Sequence, residues 1–482
     1  MRKYLILTVT AGEGHNSMAK AIKEKLEKDP QNVVKLIDIF KAYGKPGKVF
    51  FINDGYSAAC KYALPLYNLT FRNMQMADVI DKNKTVAQSW LEHETPLLLN
   101  DIYSFKPDVI IGTHFYSGIM ITNLKRKFNI PAKVISLLTD YTIHPFHECA
   151  TGIDYLITPT DELHKMLMQK GYKSSQLKPL GIPIRDEFSI SLTKEEARTR
   201  LNINKDLFTV FISIGGGGFG GSDKILKKLL KIDRPLQIII VNGKNKQAFK
   251  RIENIIETSE TNHKIINYGY VNNMHEIMSA CDVVVGKCGA TSLNEALNKN
   301  KVLILNDKLA QQEYDNMIYL SSHSACIRQS KFFPVELIVE HLSLHPEILQ
   351  KLEANIQAIR KPNALNDICT FASSLQASPY PTSFKQLESS EIKKIRQEIK
   401  KLMSSETQQL KELERLQKQI DKFYKDKETI KQEKKEQREQ KDKYHKAVKI
   451  TKSTIYTEDE HLSDKTPAIL GVHSLKKKKR NK

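Results

Sequence analysis

Thr10-Ala11-Gly12-Glu13-Gly14-His15 lies between a short apolar run and a helical pattern that opens at Asn16. Gly12 and Gly14 let a ligand approach the backbone closely, and the following helix start offers free N–H groups and a positive dipole end. His15 would then stand at the mouth of a sheet, where an imidazole can act as a general base near neutral pH. The same residues also read as a tight turn with a surface histidine. A second group, Thr139-Asp140-Tyr141-Thr142-Ile143-His144, ends another apolar run. Asp140 could orient His15, bind an acceptor hydroxyl, or simply cap a helix. His147 and Cys149 follow, but their spacing matches no familiar metal site, and no metal is expected.

Three further segments have a phosphate- or sugar-binding character. Gly215 to Gly218, then Gly220 and Gly221, form a glycine-rich stretch after an apolar run. Gly216, Gly217 and Gly218 suit a cradle of backbone N–H groups for phosphate, or a flexible connection. Lys287-Cys288-Gly289-Ala290-Thr291 again joins a strand pattern to a helix pattern. Thr291 and that helix start could hold a diphosphate. Glu295, one turn on, could accept two hydrogen bonds from a ribose diol or remain a solvated carboxylate. Gln311, Gln312 and Glu313 open a further helix and are suited to sugar hydroxyls, which both donate and accept.

Positioning these groups requires a particular scaffold. Apolar runs at Tyr4–Thr10, Val33–Ile39, Asp108–Thr113, Lys133–Thr139 and Tyr155–Thr158 alternate with amphipathic helical stretches. A second series comprises Thr209–Ile214, Gln237–Val241, Lys264–Tyr268, Asp282–Gly286 and Val302–Leu305. Continuous apolar runs between helices predict strands buried on both faces, hence parallel sheets. The expected class is α/β, with two doubly wound Rossmann-like domains, 1–185 and 190–375, and a charged tail, 385–482. The break falls near Gly181-Ile182-Pro183, and Thr193 with Glu196 forms a capping box beyond it.

The 482 residues carry a formal net charge of +20, which points to an anionic partner. Residues 385–482 hold 28 Lys and Arg against 17 Asp and Glu, so more than half of that excess sits in the tail. The tail reads as a long charged helix to about Val448, with a partial Leu/Ile stripe that permits a short coiled coil, followed by a disordered basic end. Six cysteines without a CxxC pair exclude a disulfide scaffold and argue against a zinc ribbon. A basic then apolar N-terminus imitates an export signal, but its apolar part is short, so a buried first strand is expected. No apolar run is long enough to span a bilayer.

In this order the motifs resemble the monogalactosyldiacylglycerol synthase and processive diacylglycerol glucosyltransferase group of glycosyltransferase family 28. The resemblance rests on Thr10 to His15, Thr139-Asp140-Tyr141 with His144, Gly181-Ile182-Pro183, Gly243-Lys244-Asn245 and Tyr268-Gly269-Tyr270-Val271 with Met274. It runs over about residues 3–330 and implies the two-domain GT-B fold. It also implies a UDP-glucose or UDP-galactose donor held by the second domain and a diacylglycerol acceptor reached through the first. By the same resemblance, uracil lies near Tyr270, Val271 and Met274, and ribose pairs with Glu295. Gly216 to Gly218 and the Thr291 helix start face the diphosphate, Asn245, Lys287, Gly289 and Ala290 belong to the donor site, and Gln311, Gln312 and Glu313 read the sugar. His15 is the expected base with Asp140 as helper or rival, and Gly12, Gly14, Tyr141 and His144 face the acceptor. The implied reaction is inverting and needs no cofactor. Lys287-Cys288-Gly289-Ala290 stands where the family usually has Lys-Pro-Gly-Gly, and prolines are missing before Gln311. The donor hexose therefore stays open.

An acceptor that stays in a bilayer implies a monotopic enzyme on the cytoplasmic face. The aromatic, lysine-bearing segment from Gly47 to Tyr67 is the expected contact, or else a buried helix pair. The tail could add attraction to an anionic surface, self-associate, or touch nucleic acid. Three alternatives accompany this reading: a family-28 transferase acting on a polyprenyl-linked precursor, a sugar-nucleotide epimerase, and a non-enzymatic binding protein.

Overall fold

The computed structural model describes residues 1–10, 13–43, 64–76, 86–125, 128, 130–213, 221–305 and 310–380, together with 390, 391, 393, 394 and 397. The chain divides into two compact units, residues 1–407 and 408–482. The second unit lies outside the described residues, as does nearly all of the expected tail.

The first unit contains two six-stranded sheets. The first comprises β1 (Arg2–Thr8), β2 (Asn32–Asp38), β3 (Val109–Gly112), β4 (Lys133–Leu137), β5 (Tyr155–Ile157) and β6 (Leu177–Lys178). Its order is β2-β1-β3-β4-β5-β6, and every pairing is parallel. The second comprises β7 (Phe208–Ser213), β8 (Leu236–Val241), β9 (Lys264–Tyr268), β10 (Val283–Gly286), β11 (Val302–Leu305) and β12 (Cys326–Arg328). Its order is β12-β11-β10-β7-β8-β9, again all parallel. Helices cover both faces, so central strands such as Val109–Gly112 and Val283–Gly286 are buried throughout. Each sheet reverses its winding once, between β1 and β3 and between β7 and β10. The loops at the carboxyl ends of those strands flank the crevice where such folds bind ligands.

Local chemistry agrees with these elements. Thr193 and Glu196 form the expected capping box on the helix Lys194–Arg200. Gly181 adopts φ +95°, and a Cβ there would lie 2.6 Å from that of Lys361, so only glycine fits this crossing. The last described long helix, Ala364–Ser374, was expected with residues 190–375. It instead packs Leu365, Ile368, Cys369 and Ala372 on Tyr4, Ile6, Ala19 and Ile22 of the first half. Its apolar stripe completes the cover of the first sheet, and Tyr4 Oη meets Ser373 Oγ at 2.9 Å. Conversely, Met18 and Tyr141 of the first half belong to the core of the second, so the halves share buried surface.

Candidate active site

His15 is the third residue of the helix Glu13–Leu26, the first after β1. Its Nδ1 lies 2.6 Å from the carbonyl oxygen of Thr113, which follows β3. A carbonyl only accepts, so the hydrogen belongs to Nδ1, and neutral His15 carries its lone pair on Nε2. The loop beneath is held by side chains. Thr8 Oγ1 donates to Asn16 Oδ1 (3.0 Å), Asn16 Nδ2 donates to Thr10 Oγ1 (3.1 Å), and Thr10 bonds Asp38. Burial lowers the pKa of His15, and the Thr113 bond partly opposes that shift. His15 is therefore neutral at pH 7, the form a general base requires.

Around it lies a cluster of rings. His114 meets His15 edge-on at 4.6 Å, and Phe115 stacks on His144 at 4.1 Å. His144 Nδ1 accepts the Phe146 N–H and caps a short helix. Burial and the neighbouring His15, His144 and His147 hold His114 well below the usual imidazole range. Burial, then His15, brings His147 down to about 4. A histidine with a folded pKa below its unfolded one leaves the unfolded chain with the extra proton as pH falls. Stability attributable to His147 is thus complete above pH 6.5 and is lost toward pH 4. The shift corresponds to roughly 3 kcal/mol. Buried carboxyls with raised pKa act with the opposite sign, so the informative quantity is a difference. Urea unfolding between pH 7 and 4 should show an acid loss smaller by about this amount in His147→Leu than in wild type. An equal loss in both would refute the assignment.

Asp140 follows β4 and faces the second half. Asn316, fully buried in the helix Gln311–Ser322, donates from Nδ2 to Asp140 Oδ1 (2.7 Å) and to the Cys288 carbonyl (3.2 Å). Its Oδ1 accepts the Tyr141 N–H at 2.7 Å. Burial lifts Asp140 to about 6, Asn316 opposes that, and Glu313 and Asp315 add to it. Tyr141, expected on the acceptor, serves the join between the halves instead. Its ring stacks on Tyr319 at 4.4 Å, and its hydroxyl donates to Asn294 Oδ1 at 2.9 Å.

The facing wall comes from the second sheet. A Cβ at Gly286 would lie 2.3 Å from the Ser213 carbonyl oxygen, so glycine permits the close approach of β10 and β7 at the switch point. Gly289 then caps the helix Ala290–Asn298 without a side-chain bond. Within it, the Thr291 hydroxyl is buried and has no hydrogen-bond partner. A Cβ on Gly14 would lie 2.9 Å from that hydroxyl oxygen, which puts the His15 loop directly against this helix start. Lys287 and Ala290 flank it, and Lys287 partly offsets the burial that raises the Glu313 pKa.

Glu295 is 7 % exposed and accepts from Arg185 Nε (3.3 Å) and Nη2 (3.2 Å). Burial lifts it to about 7, with Arg185 opposing. Asn245, expected at the donor, caps the helix Lys246–Thr258 by accepting the Ala248 N–H at 2.9 Å. Tyr270 is exposed beyond β9, with Lys244 Nζ 5.8 Å from its ring centre, and Val271 and Met274 pack beside it on the core. Gln311 and Gln312 accept from Arg72 and Tyr67 of the helix Leu64–Met76. Gly12, Gly216, Gly217 and Gly218 lie outside the described residues, as does the expected membrane segment before Leu64.

Thr113, His114 and Arg72 complete this crevice without having been singled out in the sequence; Asn316 stands at the join of the halves, and Tyr67, expected at the end of the membrane segment, bonds Gln312 instead. Thr113 and His114 carried a readable signal, since they end the strand that flanks β1 at the switch point. Among the described residues, no group of three His, Cys, Asp or Glu side chains could hold a metal ion, and no helix is long and apolar enough to cross a membrane.

Comparison with known proteins gives the crevice a context. The family model for monogalactosyldiacylglycerol (MGDG) synthase matches residues 15–184, and that for the glycosyltransferase family 28 C-terminal domain matches residues 220–368. The probable chloroplastic monogalactosyldiacylglycerol synthase of Glycine max is 26% identical over 381 residues, covering 76% of this chain and 69% of that protein. The processive diacylglycerol beta-glucosyltransferase of Bacillus thuringiensis (strain Al Hakam) is 26% identical over 328 residues, covering 67% and 81%. The crystal structure of Acinetobacter baumannii MurG aligns with a TM-score of 0.53 at 12% identity over 78% of this chain and 100% of that one, a likeness of fold.

Proposed function

This chain belongs to glycosyltransferase family 28 and has the GT-B fold, and on that footing we propose that it transfers a hexose from UDP-glucose or UDP-galactose to diacylglycerol at a membrane surface. The names of its relatives, a monogalactosyldiacylglycerol synthase and a diacylglycerol beta-glucosyltransferase, support that substrate pair. The observation that carries the mechanism is His15, fixed through Nδ1 on Thr113 and set one residue from the Gly14 contact with Thr291. A base and an anion-binding helix start thereby share one crevice.

In the proposed step, His15 Nε2 takes the proton of the acceptor hydroxyl. The hydroxyl oxygen bonds to the anomeric carbon from the face opposite UDP, and the bond to UDP breaks with its electron pair leaving on the diphosphate. The first N–H groups of the helix Ala290–Asn298 and the unpartnered Thr291 hydroxyl receive that charge. This stabilisation requires no divalent ion. Asp140, held by Asn316, is the helper or rival of the imidazole, and Glu313 is the sugar-facing carboxyl. Tyr270, Val271 and Met274 receive the base. Glu295 accepts the ribose diol in place of Arg185. The basic tail contributes attraction to an anionic surface.

The test is incorporation of labelled sugar from each UDP-hexose into diacylglycerol in mixed vesicles, with EDTA present. Label in the lipid phase from one donor is expected, and more of it with anionic lipid present. Label in water as a free or epimerised sugar would overturn the acceptor. Transfer only in the presence of added divalent ions would overturn the ion-free mechanism.

A further inference from the structure

Helix Leu64–Met76 reaches across the crevice and touches both halves. Phe71 is 1 % exposed and lies 5.2 Å, edge-on, from His144, which stacks on Phe115 beside His114. On the other side, Tyr67 Oη donates to Gln312 Oε1 at 2.9 Å, and Arg72 Nε donates to Gln311 Oε1 at 2.8 Å. Gln311 Nε2 donates in turn to Asp315 Oδ1 (2.7 Å), whose other oxygen accepts from Thr142 at 3.3 Å.

These bonds decide what the two amides can read. A primary amide presents an acceptor oxygen on one side and a two-hydrogen donor on the other, and a half-turn about its last bond exchanges them. An unconstrained glutamine therefore discriminates poorly between hydroxyl orientations. A guanidinium only donates, so Arg72 fixes the Gln311 oxygen and turns its nitrogen toward Asp315. The Tyr67 hydroxyl donates to the Gln312 oxygen, but a phenol can also accept, so Tyr67 holds that amide in place without by itself fixing its polarity. Neither Tyr67 nor Arg72 is a sugar reader by this geometry; each acts through the amide it holds.

We propose that Tyr67 and Arg72 are positioning residues for donor-sugar specificity: Arg72 fixes the polarity of the Gln311 amide, Tyr67 holds the Gln312 amide in place, and through Phe71 on His144 both are tied to the seating of helix Leu64–Met76 on the histidine side. The inference rests on the reading of this crevice as a UDP-hexose site. It makes donor choice depend on an element of the first half rather than on the second half alone.

The experiment measures binding of UDP, UDP-glucose and UDP-galactose by calorimetry to the full chain and to Tyr67→Phe, Arg72→Ala and Arg72→Lys. Wild type should favour one hexose. Tyr67→Phe and Arg72→Ala should each shrink that preference by about fivefold or more, because a site built on fixed hydrogen bonds loses discrimination when its donors turn. Affinity for UDP alone should stay about the same, which also reports that the variants are folded. Arg72→Lys, which keeps a donor, should retain part of the preference. An unchanged hexose preference, a wild type without one, or an equal loss of all three ligands would overturn the proposal while leaving the UDP-sugar reading in place. No binding of UDP by wild type would overturn both.

Discussion

His15→Ala should abolish most sugar transfer and leave UDP bound. General-base catalysis contributes typically about 100- to 10,000-fold, and a loss of that size in kcat is expected. UDP affinity should hardly move, because the proposed base stands on the helix after β1, whereas the groups proposed to hold the nucleotide follow β9 and β10. Glu295→Ala should do the reverse. Removing an acceptor for a ribose diol should weaken UDP by about tenfold, roughly 1.4 kcal/mol, with a smaller effect on turnover at saturating donor. The pH profile separates a base from a merely structural histidine. Burial lowers the pKa of His15, so the acid limb of wild-type kcat/KM should fall below pH 6.5 and be lost in the variant. Turnover and UDP affinity falling together in both variants would show that the halves do not divide base and donor as proposed.

Much of the two-sheet frame was legible in the sequence. The doubled strand series predicted two parallel sheets, because runs such as Val283 to Val285 are too uniformly apolar for a half-exposed strand. Among the described residues, the edge strands Leu177–Lys178 and Cys326–Arg328 escaped. Two or three residues cannot display a period, and their pairing depends on a neighbour already in place. The strand ends ahead of His15, Asp140 and Thr291 were legible because an apolar run that gives way to polar or small residues has a local meaning. What stayed hidden was relational. Tyr141 and Asn245 have the right types for substrate contacts, yet one is spent on joining the halves and the other on capping a helix. The Arg185–Glu295 pair spans 110 positions and the Arg72–Gln311 bond 239, distances at which spacing says nothing.

Asn316 is the case in which a hidden contact should matter most. It stands on the buried face of its helix beside Met317 and Leu320, where an amide has no reason to be unless its bonds are met. They are met by three groups from two loops: the Asp140 carboxyl and the Tyr141 N–H of one, and the Cys288 carbonyl of the other. Asn316→Ala would strand all of them, and each orphaned buried group costs about 1–3 kcal/mol. Partial relief by water brings the expected loss to about 3–5 kcal/mol in chemical unfolding at pH 7. The loss should be pH-dependent. Without its amide donor, Asp140 would titrate above its present value of about 6, so the variant should regain stability relative to wild type as pH falls through that range. Combining Asn316→Ala with Asp140→Asn tests the cause, since a neutral side chain at 140 leaves no charge to strand. The double variant should therefore be less destabilised than the two single effects added together. A loss below about 1 kcal/mol, or strict additivity, would mean that Asn316 fills space at this join rather than holding the carboxyl that faces the donor wall.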